Sequence, residues 1–215
     1  MEQRVEKKFR FKLGDTIFYE FLINSLCKEI YKQRVVNSLY FDTDNFKNLW
    51  DNINGFSNRL KVRARWYNKL DNVNVYLEEK KKINFITQKT VTDLGIFQDF
   101  NKLITYFNNQ KNPMAKEIFF SSKNFKKNLL VSYNRNYFQT PNQKLRVTID
   151  RDIRIYNYPY KNFVEMDDLI LELKFNIKDS LFVNDLLKYN SFQFRNQKFS
   201  KYSNSFIELN DNGFI

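Results

Sequence analysis

The sequence predicts an α+β fold, mainly antiparallel sheet, with eight strands and helices packed outside them. Three observations carry this prediction. Residues 59 to 65 put Arg59, Lys61, Arg63 and Arg65 on every second position, with Leu60, Val62 and Ala64 between them and Trp66 following. Side chains alternate faces along a strand, so this segment has one cationic and one apolar face. The same alternation recurs along the chain. Short polar connections such as Asn68 to Asn72 join neighbouring runs, which suits hairpins. Eight strands are also enough to close a barrel.

Residues 3–12 read as a strand. Asp15 suits a helix N-cap, and Ile17, Phe18, Phe21, Leu22 and Leu26 follow helical spacing to about residue 31. Residues 34–42 read as a second strand, followed by a short helix or turn around Phe46 to Trp50. Residues 57–67 and 73–83 form a hairpin, and 85–92 a further strand. Residues 94–121 look helical in two pieces broken near Pro113. Strands follow at 127–138, 144–156 and 168–176, then a helix at 179–190. The tail from 198 reads as a short helix or ordered loop. No linker, low-complexity segment or internal repeat interrupts residues 1–215, so one domain is expected.

The alternation defines a charged face on many of these strands. Strand one sets Arg4, Glu6, Lys8, Arg10 and Lys12 against Val5, Phe9 and Phe11, with Lys7 the exception. Glu78, Lys80 and Lys82 oppose Val75 and Leu77, with Glu79 breaking the pattern. Tyr133, Arg135 and Tyr137 share a face. Arg146, Thr148 and Asp150 oppose Leu145, Val147 and Ile149; Glu172 and Lys174 oppose Leu171, Leu173 and Phe175. On one strand a charged face is simply the wet side. Same-face neighbours lie roughly 6.7 Å apart, and each like pair costs about 2.5 kcal/mol at an effective dielectric near 20. Repeated over several strands, such faces require water or an anion. Aromatic apolar backs covered by helices would turn the charged faces inward, onto a basic lumen.

Composition narrows the chemistry. The net charge is +12, which favours a polyanion. There is no histidine, which removes histidine bases and histidine-held zinc. The one cysteine, Cys27, reads as a packed thiol and allows no disulfide within the chain. With four glycines and no glycine-rich phosphate loop, any phosphate must be held by side chains. No signal peptide or membrane span is expected, and the setting expected is a reducing, cytoplasmic one.

The chain resembles the VTC domain family, within the CYTH-like triphosphate tunnel metalloenzymes. The matching segments are Arg-Val-Glu-Lys-Lys-Phe at 4–9, Ser-Leu-Tyr-Phe-Asp-Thr at 38–43 and Arg-Leu-Lys-Val-Arg-Ala-Arg-Trp-Tyr at 59–67. They continue with Leu-Glu-Glu-Lys at 77–80, Ser-Tyr-Asn-Arg at 132–135 and Leu-Arg-Val-Thr-Ile-Asp at 145–150. Leu-Glu-Leu-Lys-Phe at 171–175 and Lys-Phe-Ser-Lys-Tyr at 198–202 complete the series. Each is short, but they keep the family's order over nearly the whole chain.

The resemblance implies an eight-stranded antiparallel tunnel, a β-barrel with a basic lumen, spanning 1–215 as a single domain. It implies polyphosphate polymerase activity, moving the γ-phosphate of ATP onto inorganic polyphosphate with Mn²⁺ or Mg²⁺. Carried over by motif, Lys8, Arg63, Arg65, Lys80, Arg135, Arg146, Lys198 and Lys201 would contact phosphates, and Tyr133 would hydrogen-bond one. Lys89 is added without a motif of its own. Glu172 would hold the metal, with Glu6 assisting. Arg4, Arg59, Lys61, Glu78 and Lys174 would be secondary lumen charges. The family's wider pattern begins Glu-x-Glu-x-Lys; here Arg4 takes the first place, as in VTC-type members. Eukaryotic members add a regulatory domain and join a membrane complex; neither is expected of this chain, so regulation and translocation do not carry over, and a membrane-protein partner is left open.

Simpler roles stand beside these. Glu172 could pair a lysine, Tyr133 and Tyr137 could be packing, and Lys198 and Lys201 surface charges. Asp42, Asp150, Trp50 and Trp66 read as structural. The alternative activities are a metal-dependent triphosphatase or polyphosphatase, or a non-catalytic polyphosphate- or RNA-binding module. Nucleic acid is disfavoured because residues 59–65 put no aromatic on the cationic face for base stacking, although Tyr133 and Tyr137 flank Arg135; a duplex or membrane-surface binder is disfavoured further, because the basic positions are spread over many strands.

Overall fold

The computed structural model describes residues 4–12, 23–84, 86–109, 125–189 and 199–213. In chain order the elements are β1 (Arg4–Lys12), β2 (Lys28–Asp42), α1 (Lys47–Ile53), β3 (Arg59–Tyr67), β4 (Val73–Ile83), β5 (Ile86–Phe97) and α2 (Phe100–Asn108). They continue with β6 (Lys126–Gln139), β7 (Leu145–Asn157), β8 (Phe163–Met166), β9 (Asp168–Asn176), α3 (Ser180–Tyr189) and α4 (Lys201–Asp211). The chain divides into two compact units. Unit 1 comprises Met1–Arg34, Tyr133–Ile153 and Glu165–Phe199; unit 2 comprises Val35–Ser132, Arg154–Val164 and Ser200–Ile215.

In unit 1 the strands pair in the order β1-β9-β7-β6-β2. β9 is antiparallel to both β1 and β7, with Lys8 opposite Glu172 and Glu172 opposite Thr148. This register puts Phe9, Val147, Ile149, Leu171, Leu173 and Phe175 on one face, where they form a core with Phe182, Val183, Leu186 and Leu187 of α3. The period of two in these strands thus meets the helical period of α3, and each buries the other's apolar side. Lys7, the exception in β1, reaches along this face to Asn184 Oδ1 at 2.9 Å and lies 5.8 Å from the Phe175 ring centre.

In unit 2 the order is β6-β2-β3-β4-β5. Leu39, Phe41, Val62, Ala64, Trp66, Val75 and Leu77 share one face and pack with Leu103 and Phe107 of α2. Asp99 starts α2: its side chain accepts from Lys102 N at 2.9 Å. α1 has Phe46 at its N-cap position, with no capping side chain of its own. Its first N–H groups go instead to residues just before it. Lys47 N donates to Thr43 Oγ1, while Asn48 N and Leu49 N donate to the Asp42 carboxylate at 2.9 Å each. A buried carboxylate at a helix start is favoured by the helix dipole as well as by these bonds.

The fold class is the expected one, mainly antiparallel sheet with few helices. Several details differ. The described residues form nine strands, because the short β8 pairs with β7. Among the described residues the pairing order ends in β1 in unit 1 and in β5 in unit 2, with no pairing of those two strands. Both end strands carry Lys and other polar residues, which discourage further pairing. The helix expected to run to about residue 31 ends at 26, and β2 begins at Lys28. There Tyr31 meets Tyr137 edge-on at 5.8 Å and the Arg34 guanidinium lies over both rings. These cross-strand contacts outweigh the helical spacing that ended at Leu26. Residues 94–97 belong to β5, not to a helix, since Asp99 defines the helix start. The helix piece beyond Pro113, and the Asp15 cap, lie outside the described residues. Trp50, expected to be structural, is 51% exposed, whereas Trp66 is 3% exposed. Cys27 is buried, and burial pushes its thiol up to about 11, as a packed thiol requires. Among the described residues no helix is long and apolar enough to cross a membrane.

Leu171 sits at the centre of the unit 1 core. Leu171→Ala is expected to lower the unfolding free energy by about 2–5 kcal/mol, read as a shift of the urea midpoint at unchanged slope.

Candidate functional site

The polar face of unit 2 is organised by one buried carboxylate. Glu78 is 6% exposed and stands opposite Arg63 in the β3–β4 register. Arg63 donates to Glu78 Oε2 from Nε at 2.8 Å and Nη2 at 2.5 Å; Lys89 donates to Oε1 at 2.7 Å. Arg65 Nη1 lies 3.7 Å from Oε2. Burial would raise the Glu78 pKa, but the Arg63 and Arg65 charges and the hydrogen bonds from Lys89 and Arg63 outweigh it and hold it down to about 2. Ser38 and Tyr40 of β2 face Arg65 and Arg63 in register. Ser38 Oγ accepts from Arg65 Nη2 at 3.3 Å, and Tyr40 Oη accepts from Arg63 Nη1 at 3.3 Å. Both guanidinium groups are therefore fixed before any anion arrives.

The rest of this face is rich in cations. Lys61 stands opposite Lys80, and Lys80 opposite Lys89; Arg59 stands opposite Lys82. Like charges directly opposed across strands are destabilising. Lys61 Nζ donates to Ser200 Oγ at 2.8 Å, which also caps α4 through Ser203 N. α4 is held from beneath. Tyr202 Oη donates to Asp42 Oδ2 at 2.5 Å and accepts from Asn128 Nδ2 at 2.6 Å, while its ring stacks on Tyr40 at 5.0 Å. Burial and the Asp42 carboxylate push the Tyr202 pKa far up, so this hydroxyl remains a donor.

Unit 1 has its own charged face. Arg135 donates to Asp150 with Nε at 2.5 Å and Nη2 at 2.7 Å, and Nη2 lies 3.7 Å from Glu172. Burial disfavours the Arg135 charge, but Asp150, Tyr133 and Glu172 hold its pKa well above the ordinary value. Lys174 pairs with Glu172 at 2.8 Å, and Lys8 with Glu6 at 2.8 Å. Arg10 and Lys12 hold the buried Asp168 at 2.6 and 3.2 Å.

The residues singled out from the sequence thus fall into two groups. Arg63, Arg65, Lys89 and Glu78 come together in unit 2, with Arg59, Lys61 and Lys80 along the same face and Lys201 in the first turn of α4. Lys8, Glu6, Arg135, Glu172 and Lys174 come together in unit 1, with Arg146 exposed opposite Lys174. Tyr133 lies beside Arg135. It is 1% exposed, with the Arg135 guanidinium 5.2 Å from its ring centre, so it supports that arginine from below. Lys198 and the Arg4 side chain lie outside the described residues. Ser38, Tyr40, Asp168 and Tyr202 were not singled out as site residues. Ser38, Tyr40 and Asp42 do alternate with Leu39 and Phe41, so the signal was present, but it named no charge partner.

A divalent cation can be tested against the unit 1 face. Among the described residues no three acidic, cysteine or histidine side chains gather as a ligand set. Glu172 and Glu6 do share one face, and Thr148, opposite Glu172, has a buried Oγ1 with no hydrogen-bond partner among the described residues. Two carboxylates and a hydroxyl are hard oxygen donors, suited to a cation whose other ligands are phosphate oxygens and water. Lys8, Lys174 and Arg135 repel a bare dication but attract one carried on a triphosphate. The donor set fits a metal–triphosphate and not a free metal.

A family model described as the VTC domain matches residues 6–210. No curated protein matches the chain. Among solved structures, a candidate adenylate cyclase from Bacillus halodurans superposes with a TM-score of 0.57 at 13% identity, covering 94% of this chain and 98% of that one. A candidate adenylyl cyclase from Hippeastrum, described as having a dominant triphosphatase activity, gives 0.53 at 13% identity, covering 99% and 97%. The PH1819 protein of Pyrococcus horikoshii gives 0.51 at 12% identity, covering 97% and 99%. These likenesses establish the fold.

Glu78 makes stability depend on acid. Its folded pKa lies below the ordinary value of 4.5, so its contribution is present above pH 4.5 and is lost as pH falls toward about 2. The loss is of the order of 3 kcal/mol. Urea midpoints measured between pH 5 and pH 2.5 should fall steeply, and Glu78→Gln should flatten that fall. An equal slope in both proteins would rule out this role.

Proposed function

Since the chain belongs to the VTC domain family, we propose that it is a metal-dependent phosphotransferase that moves the γ-phosphate of ATP onto inorganic polyphosphate. The observation that carries this reading is the unit 2 face. Arg63 and Arg65 are held as oriented forks by Glu78, Ser38 and Tyr40, and lysines exceed carboxylates around them. Phosphoryl transfer needs positioning and charge neutralisation more than covalent chemistry. Arginine forks supply directed bonds to phosphate oxygens, and Lys61, Lys80 and Lys89 supply field. The attacking group is the terminal phosphate of a growing chain, ionised at neutral pH, so no general base is required. This suits a chain with no histidine.

Arg146, Lys8 and Arg135 are assigned to further phosphate groups, with Lys198 and Lys201. Tyr133 supports Arg135 by its placement. Glu172, assisted by Glu6 and Thr148, would hold Mn²⁺ or Mg²⁺, which supplies charge neutralisation of bridging phosphate oxygens when bound. A second reading, triphosphate hydrolysis, is favoured by the activity described for the Hippeastrum protein of the same fold. ATP and polyphosphate are the proposed partners under the first reading.

Incubation with ATP and Mn²⁺ or Mg²⁺ separates the two. Long phosphate chains on a gel are expected; free phosphate alone would support hydrolysis, and neither product would sink both. Lys80→Gln relieves the Lys61–Lys80–Lys89 row. It is expected to weaken triphosphate binding and its salt dependence. Tighter or unaltered binding would show that the face is only hydrated. Glu172→Gln should abolish metal-dependent turnover in a protein whose circular dichroism is unchanged.

A further inference from the structure

Unit 2 exposes an apolar edge that the proposed phosphate chemistry does not use. At the turn of the β4–β5 hairpin Ile83 stands opposite Ile86, and they are 41% and 63% exposed. Trp50 and Ile53 lie three residues apart on α1, and Phe56 follows in the loop; they are 51%, 41% and 56% exposed. Hydrogen bonds join these pieces. Asn84 N at the hairpin turn donates to Asn58 Oδ1 at 3.2 Å, Arg59 Nη1 donates to Phe56 O at 3.3 Å, and Phe56 N donates to Asp51 O at 3.0 Å. Arg59 and Lys82 face each other directly behind the hairpin turn, and Lys81 is next in sequence.

Large exposed apolar side chains clustered at one end of a fold mark an interaction surface. The charge decides the partner. A second copy of this chain would bring Arg59, Lys81 and Lys82 against the same cations, and a nucleic acid would set Ile83 and Ile86 against phosphates. An anionic bilayer satisfies both parts, with apolar groups at the headgroup–acyl boundary and cations among the lipid phosphates. Tryptophan and phenylalanine suit that boundary. We propose that this edge docks on an anionic lipid surface, led by Ile83, Ile86, Phe56 and Trp50 with Arg59, Lys81 and Lys82 behind them. The proposal is independent of which phosphate reaction the chain performs.

The two tryptophans provide the readout, because Trp66 is 3% exposed and Trp50 is not. Titrating the full chain with phosphatidylcholine–phosphatidylglycerol vesicles should shift tryptophan emission to the blue and carry protein into the vesicle pellet. Pure phosphatidylcholine should do neither. Trp50→Phe should remove the shift and retain sedimentation. Ile83→Ser with Ile86→Ser should weaken partitioning about tenfold or more, with the melting temperature unaltered. Lys81→Glu should reduce the preference for anionic lipid. The proposal fails if anionic vesicles give no shift, or if the double isoleucine variant binds them as well as the parent does. It fails also if the shift arises from raising protein concentration without lipid, which would identify a second copy as the occupant.

Discussion

Four buried carboxylates hold the charged faces of this molecule in order. Glu78, Asp150, Asp168 and Glu172 are each nearly or wholly removed from solvent, and each meets cations from its own or a neighbouring strand. A buried carboxylate left alone would cost several kcal/mol. Each therefore fixes the strands that supply its cations. Glu78 can meet Arg63, Arg65 and Lys89 only in the observed register of β3, β4 and β5. A slip of one residue would turn Glu78 toward the face holding Val62 and Ala64. The ionic contacts and the apolar core thus select the same pairing, each from its own side of the sheet.

That agreement explains what could be read from the sequence. Residues 168–176 alternate except at Ile170, and β9 has those bounds. The four cations of β3 share a face, as their spacing requires, and the aromatic and aliphatic residues between them are buried. Position along a strand was legible because it depends only on neighbours in sequence. Register was not, because it depends on another strand. Lys89 joins Glu78 only through the β4–β5 pairing, which includes a bulge between Asn74 and Tyr76. Tyr133 shares parity with Arg135, yet lies buried beneath it, a difference of depth that spacing does not encode. The start of β2 was missed for a related reason: Tyr31 and Arg34 find their partners on β6, about a hundred residues away.

The two charged faces differ in balance. In unit 1 the four carboxylates Glu6, Asp150, Asp168 and Glu172 stand beside six cations, Lys8, Arg10, Lys12, Arg135, Arg146 and Lys174. In unit 2 Arg59, Lys61, Arg63, Arg65, Lys80, Lys82 and Lys89 share a face with Asp42, Glu78 and Asp93. A folded protein of ordinary stability has about 5–15 kcal/mol in hand, so such an excess is tolerated only with water nearby or an anion present. Arg63 and Arg65 present planar forks on this face, and the lysines beyond them present point charges.

Asp42 receives N–H groups from Thr43, Asn48 and Leu49 and the hydroxyl of Tyr202, so one carboxylate joins the start of α1 to α4. Those partners differ greatly in when a ribosome makes them. The first three exist within seven residues of Asp42; the last is separated from it by 160 positions. During synthesis the front half of this network can form early, whereas Tyr40 and Lys61 must wait for Tyr202 and Ser200. The cationic face of unit 2 is therefore completed late, after the strands that carry it have already been made.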